Sequence, residues 1–583
     1  MKWDEFAFAI QNRIDRIIRW ARLVPSYAGD YRRFIIIQID GLSYSTLIKA
    51  LRKKRMPFTA RLLERGAAKL KQFSCGLPSS TPAFQAGIMY GETIDIPGFH
   101  WYDKRRNVDM YIPALNVSTM VEQRHAEGRP GILKDGTSYG CIFGGEAETA
   151  VVNFSRLTAP NLGLNLSTIR FFLPNFIILW VVVKIAFLSA IELIKGLYRI
   201  VIDLVRGRLR FIKFKLILFK IIFSIVIRQL FTLGVSHDIY RGIPAIYVNF
   251  VGYDVFAHGN GPEHKRSLGV LKEIDSSIRQ IYRAARRAPE FKYDLFILSD
   301  HGQVASIPFE QVSGGVSFKD LILTALINTR LEGKERRLEI GEEQKGKWAW
   351  QISLISRIGS LRRSANWPLS VLCQRYLQYL RSSFCKKLNI TADLNFIDQV
   401  VIIPAGPNAF IYFTHTQEKL TVEQIEELYP GLINYLSGHP GIGLILAADR
   451  DGPVLFHRRN RFRIDPETET TPDNPFHDRP DLAIVMEGLA RLIYMPGSGD
   501  LTVLGHYAPA GNISYVGEYG SHAGPSEEEM KVFIIHPPDV DYRFEDVTRP
   551  GDLYRFFINY RLDRERQLYA RSEEQYSEPI VSA

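Results

Sequence analysis

Three short apolar runs, far apart in the chain, each end abruptly in acids, histidines and glycines. Phe34–Ile39 stops at Asp40-Gly41, Ala245–Phe250 leads to Asp254, and Leu295–Leu298 leads to Ser299-Asp300-His301-Gly302. The runs are rich in β-branched residues and nearly continuous, as in strands covered on both faces. The pattern predicts an α/β protein with a largely parallel central sheet and helices packed on it. In open sheets of this kind, sites form beyond the carboxyl ends of the strands. Three separate strands delivering acids and histidines to that one edge is the central clue.

Other stretches follow different periods. Residues 1–32 carry Phe6, Ile10, Ile14, Ile17, Ile18 and Ala21 at helical spacing, which predicts an amphipathic helix. Residues 33–160 and 241–315 carry the strand pattern and form two parts of a catalytic core. Between them, 161–240 is almost wholly apolar from Phe176 to Leu188 and then shows polar residues every three or four positions. Residues 316–395 read as a helical cap or lid, and strand-like runs resume at Val400–Pro404 and Ala409–Thr414. Gly443–His457 holds a turn at Asp449–Pro453, and Val532–Ile535 is a last strand. Residues 396–560 are therefore expected to be a third part of the core, with 561–583 a tail.

Charge changes the picture in one place. The chain of 583 residues carries a net +11. Between Lys184 and Arg241 there are eleven Lys and Arg against three acids, a local excess of +8. The rest is near balance, so a nucleic-acid-binding surface is not expected. A basic, strongly apolar element suits helices lying in a membrane interface with cations toward anionic headgroups. A transmembrane hairpin would carry the basic turn Arg206–Arg210 to the far side, against the positive-inside tendency. The competing reading is two ordinary core helices. Cys75, Cys141, Cys373 and Cys385 form no C-x-x-C pair and no disulfide framework. With no secretory h-region in 1–31, membrane association at the cytoplasmic face is the expected location.

Six residues form a candidate ligand set for two metal ions: Asp40, Asp254, His258, Asp300, His301 and His522, the last in a glycine-flanked loop. Mixed His and Asp ligation suits zinc. Two such ions roughly 4 Å apart clamp the attacking and leaving oxygens of an in-line phosphoryl displacement. Thr81, in the small-residue turn from Gly76 into a predicted helix, is the candidate nucleophile. Backbone amides at a helix start favour an anion there.

Asp40-Gly41, Pro78-Ser79-Ser80-Thr81-Pro82, Asp254-x-x-x-His258 with Gly261-Pro262, Ser299-Asp300-His301-Gly302 and Gly520-Ser521-His522 together resemble the type I phosphodiesterase/nucleotide pyrophosphatase family of the alkaline phosphatase superfamily. The resemblance spans about 33–540 and leaves out 160–240. It implies an alkaline-phosphatase-like three-layer α/β/α sandwich with helical insertions. It also implies two zinc ions, one held by Asp254, His258 and His522, the other by Asp40, Asp300 and His301. Thr81 would form a phospho-threonine intermediate on a phosphate-ester substrate. The Asn that nucleotide-cleaving relatives carry before a Tyr-Asp pair is missing from Pro97–Asp103, so His100, Trp101 and Tyr102 become the candidate substrate contacts. The expectation is a metal-dependent phosphodiesterase acting on a lipid-linked or membrane-proximal substrate. The alternatives are a phosphomonoesterase or phosphonate hydrolase on a soluble substrate, and a catalytically silent membrane scaffold.

Overall fold

The computed structural model describes residues 30–156, 182–194, 220–331, 399–465 and 471–577, apart from 94, 113 and 192. The N-terminal helix expected over 1–32, most of the insertion and most of the expected lid lie outside these residues.

The main sheet has seven strands. Six, in chain order, are β1 (Arg33–Ile39), β2 (Lys69–Ser74), β3 (Thr137–Tyr139), β4 (Thr149–Val151), β5 (Ala245–Phe250) and β6 (Tyr293–Leu298). The seventh is Lys531–His536, and the order across the sheet is β2, Lys531–His536, β6, β1, β5, β3, β4. All seven residues of β1 are buried, which explains a run apolar from Phe34 to Ile39 but for Gln38. β1 pairs parallel with β5 from Phe34↔Ala245 to Ile39↔Phe250, and parallel with β6 from Arg33↔Tyr293 to Gln38↔Leu298. Parallel pairing in this register brings the three carboxyl ends to one edge. Lys531–His536 runs antiparallel to both β6 and β2.

Alternate residues of these strands feed two cores, which makes the three layers. Phe34, Ile36 and Tyr247 face α1 (Thr81–Tyr90) and the helix Pro550–Ser577, whose Phe557 ring lies 5.4 Å from that of Phe34. Ile35, Ile37 and Val248 face α2 (Arg228–Arg241) and α3 (Lys265–Arg287). The protein is thus an α/β/α sandwich about a mostly parallel sheet.

Three expectations need correcting. Residues 228–240, assigned by pattern to the membrane insertion, belong to the core: α2 buries Phe231, Val235 and Ile239, and its buried Arg228 donates to Ser277 Oγ at 2.8 Å. A buried polar stripe satisfied by a neighbouring helix looks the same in sequence as one facing water. Within the expected third part of the core, residues 400–504 build a six-stranded antiparallel sheet, one face of which (Val400, Ile402, Ile411) feeds a core of its own while Val401, Ile403 and Phe410 join the main one. The start of the expected lid, Phe318–Leu331, packs into the sheet's own core through Phe318, Ile322 and Leu326. Finally, residues 561–564 are no tail: Arg561 donates to Gly131 O at 2.6 Å and Arg564 to Asp135 Oδ2 at 2.8 Å. Among the described residues no helix is long and apolar enough to cross a membrane.

The helix Pro57–Glu64 has no cap of its own, since Met56 contributes no side-chain acceptor. Buried Asp275 of α3 takes that role, accepting from Phe58 N at 2.8 Å, Thr59 N at 2.9 Å and Thr59 Oγ1 at 2.7 Å. Asp275→Ala strands these donors and is expected to cost about 2–3 kcal/mol, read as a lowered denaturation midpoint at unchanged m-value.

Candidate metal and phosphoryl-transfer site

Asp40 follows β1 directly, and Asp300 and His301 follow β6. Asp254 and His258 sit one turn apart on the helix Gly252–Asn260 that leaves β5. His522 arrives from the other side of the fold, after a two-residue strand, Gly520–Ser521, that pairs with Val304–Ala305. Thr81 is the first residue of α1 and is 5% exposed. Its Oγ1 lies 3.3 Å from Asp40 Oδ1 and 3.1 Å from His301 Nε2, so a proton acceptor is already at hand.

The structure brings together two ligand groups that share a histidine. Asp40, Asp300 and His301 form one, and Asp254, His301 and His522 the other. The rings of His301 and His522 stack 3.7 Å apart. His258 stands just outside these groups, with Nε2 3.3 Å from Asp254 Oδ2 and its ring 5.0 Å from that of His522. The grouping of Asp254, His258 and His522 implied by resemblance therefore has its three members adjacent, with His301 closer in than His258.

Hydrogen-bond direction shows what the donors are for. Each imidazole has its Nδ1 against a backbone carbonyl: His258 on Gly520 O at 2.8 Å, His301 on Gly302 O at 2.9 Å, His522 on Ser79 O at 3.1 Å. A carbonyl only accepts, so each Nδ1 carries a proton, and each Nε2 is left to hold a metal ion or, in its absence, a second proton. Those Nε2 atoms face carboxylate oxygens at 3.3–3.8 Å. Two acceptors in that position repel unless a cation lies between them. Asp300 Oδ1 accepts from Gly41 N at 3.2 Å, yet its Oδ2 is buried with no hydrogen-bond partner. This donor set fits divalent metal ions, and its mixed N/O chemistry suits zinc.

The titration behaviour has the same origin. Burial, then Asp300 and Asp254, pushes the Asp40 carboxyl well above the usual carboxylate range, against Asn249 and Thr81. Burial raises Asp300 too. Asp254 is half-buried, and against the desolvation that raises it His258, His522 and His301 hold it low. At His258 burial is outweighed by Asp254 and Glu518, which raise it, whereas burial and His301 push His522 well down. Without a metal ion, protons must supply the missing positive charge.

Of the substrate contacts expected from sequence, two are corrected. Trp101 is 1% exposed and Tyr102 4%, both in the core, with Tyr102 N donating to Tyr412 OH at 3.1 Å. His100 is half-buried and binds Asp109 Oδ1 at 2.7 Å across its hairpin. The residue of this stretch beside the site is Phe99, whose ring meets His522 edge-on at 5.9 Å. Sequence reading also passed over Asn249, which donates to Asp40 Oδ2 at 2.7 Å, and Gln303, which donates to Asp254 Oδ1. The available signal was polarity: Gln38 and Asn249 interrupt strands that are otherwise apolar, and a polar group buried in a sheet needs a partner.

A model of the type I phosphodiesterase / nucleotide pyrophosphatase family matches residues 224–348. The chain resembles that family of the alkaline phosphatase superfamily. The matched segment holds Asp254, His258, Asp300 and His301. No protein of curated function matches in sequence. Among solved structures, murine ectonucleotide pyrophosphatase / phosphodiesterase 5, as an inactive form with AMP, aligns at TM-score 0.44 and 10% identity over 91% of this chain and 94% of that one. Phosphonoacetate hydrolase from Sinorhizobium meliloti, with phosphonoformate, aligns at 0.42 and 12% over 92% and 98%.

Gly41 follows Asp40 at φ 73°, where a side chain is strained, and a Cβ there would lie 2.6 Å from Asp254 Oδ1. Gly41→Ala is expected to cost about 1–3 kcal/mol in stability and to weaken metal uptake measured by chelator competition.

Proposed function

We infer that this protein is a metal-dependent phosphodiesterase that works through a covalent phospho-threonine. The observation that carries the reading is that two groups of acids and histidines sharing His301, Asp40/Asp300/His301 and Asp254/His301/His522, converge beside the Thr81 hydroxyl, which lies 3.1 Å from His301 Nε2. Asp40, Asp300 and His301 would hold one divalent ion and Asp254, His258 and His522 the other, with His301 close enough to serve both. Bound zinc ions would lower the pKa of the attacking hydroxyl and neutralise charge on the phosphoryl oxygens.

Thr81 begins a ten-residue helix, so the free amides of that first turn face the place where a phosphoryl group would sit. With a divalent ion held by Asp40, Asp300 and His301, the Thr81 hydroxyl would lose its proton to solvent, and Thr81 Oγ1, which lies 3.1 Å from His301 Nε2 and 3.3 Å from Asp40 Oδ1, would attack phosphorus. The ester P–O bond breaks, and the first alcohol leaves with its electron pair and takes up a proton. Water then attacks the phospho-threonine, which releases the phosphomonoester and restores the hydroxyl.

The substrate is proposed to be lipid-linked or membrane-proximal. In the insertion Val182, Val183, Phe187 and Ile194 are exposed, at 53%, 51%, 64% and 67%. They stand in the same stretch as the local excess of cations. Apolar side chains in solvent beside Lys and Arg suit an anionic bilayer surface.

Two measurements check this. Purified protein should hydrolyse bis-p-nitrophenyl phosphate faster than p-nitrophenyl phosphate, and both Thr81→Ala and chelation should lower diester turnover by roughly 10³-fold or more. Monoester preference would overturn the diesterase assignment. The protein should co-float with anionic vesicles at low salt, and a Phe187→Glu/Ile194→Glu variant should bind them at least about tenfold more weakly while keeping its turnover of the soluble diester. Equal flotation of both proteins would remove the membrane part.

A further inference from the structure

Beneath Asp40 lies a chain of polar side chains with almost no access to water. Gln38, Gln85 and Tyr247 are each 0% exposed, and Asn249 is 1%. They come from three elements: Gln38 from β1, Tyr247 and Asn249 from β5, Gln85 from α1. Gln38 and Asn249 are register partners across the β1–β5 pair, so they stand side by side on one face of the sheet.

The bonding within the chain leaves one arrangement. Gln38 Oε1 accepts from Tyr247 OH at 2.7 Å and from Gln85 Nε2 at 3.1 Å. With two donors on its oxygen, the Gln38 amide must turn its NH2 toward Asp40, where Nε2 lies 3.5 Å from Oδ2. Gln85 is fixed in turn, because its Oε1 accepts from Ile142 N at 2.7 Å. Asn249 Nδ2 donates to the same Asp40 Oδ2 at 2.7 Å. Both amides therefore act on one carboxylate oxygen. The other, Oδ1, is left facing Thr81 at 3.3 Å and His301 at 3.5 Å.

We propose that Asn249 and Gln38 are positioning residues that occupy Asp40 Oδ2 and so dedicate Oδ1 to the metal ion beside the nucleophile. Gln85 lies one turn after Thr81 on the same helix, so the chain also ties the nucleophile's helix to the carboxylate that shares its ion. A carboxylate without these donors rotates about its Cβ–Cγ bond and offers either oxygen or both. Its metal affinity then drops, because orientation must be imposed at the moment of binding. The inference rests on the metal reading above, and it assigns to β5 a function beyond delivering Asp254.

The test is zinc binding to the whole protein, followed by chelator competition and by the zinc-induced rise in melting temperature. Wild type should take up two equivalents. Asn249→Leu keeps the volume but removes the amide. It should bind one equivalent as wild type does and the second about 10–100-fold more weakly, with the metal-free melting temperature close to that of wild type. Gln38→Leu should weaken the same equivalent. Asn249→Ser, smaller than the native residue, replaces Asn249→Leu if the latter does not fold, and carries the same expectation. Two equivalents of wild-type affinity in both Asn249 and Gln38 variants overturn the proposal and leave the metal reading standing. A wild type that takes up no divalent ion overturns the metal reading, and the proposal with it.

Discussion

Negative charge held out of water is the constraint to which the rest of this fold answers. Asp40 and Asp300 are buried to within 2% of full enclosure, and Asp254 lies close to both. Each of the three nearest imidazoles has its Nδ1–H on a backbone carbonyl, so it can offset this charge only through Nε2, by taking a second proton or by holding a metal ion. Burying carboxylates in this way costs several kcal/mol per ion unless an opposite charge is present. A divalent cation, or a proton standing in for it, resolves the conflict. The same arrangement leaves the Thr81 hydroxyl within 3.1–3.3 Å of a base, so the groups that need a cation are also those that would exploit one.

Holding such a cluster requires stiff supports from both sides. On one side the parallel register of β1, β5 and β6 sets Asp40, Asp254 and the Asp300-His301 pair at one edge. On the other, the loop with His522 is pinned to the nucleophile's own turn. Ser79 Oγ donates to Gly524 O at 2.8 Å, and Ser79 O takes the Nδ1 proton of His522. Behind that loop, buried Glu529 accepts from Gly524 N at 3.0 Å and lies 2.7 Å from His506 Nε2. The nucleophile and a ligand from the far end of the chain thus share one scaffold.

The second sheet and the insertion flank this scaffold in different ways. The antiparallel sheet turns one face to a core of its own, yet Asn408 at its edge donates to Ala523 O at 2.9 Å and so touches the His522 loop directly. The insertion joins the sandwich through α2, whose apolar face packs on α3. Its described part leaves Val182, Val183, Phe187 and Ile194 exposed.

Much of this was legible in the chain before any fold was known. The strands Phe34–Ile39 and Ala245–Phe250 were visible because burial on both faces keeps them apolar but for Gln38 and Asn249. Asp40, Asp254, Asp300 and His301 stood out because each follows closely on such a run. Those are local properties, carried by neighbours in sequence. Pairings between distant segments were not legible. Nothing near Asp275 says that it caps a helix beginning at Pro57, and nothing near Trp101 says that it points into the core while Phe99 meets His522. The polar stripe of 228–240 reads alike whether water or Ser277 receives Arg228. Only tertiary structure decided that the two groups of acids and histidines share His301 and that Oδ1 of Asp40 faces Thr81. That choice depends on strand register and on hydrogen-bond partners hundreds of residues apart, and spacing along a single segment records neither.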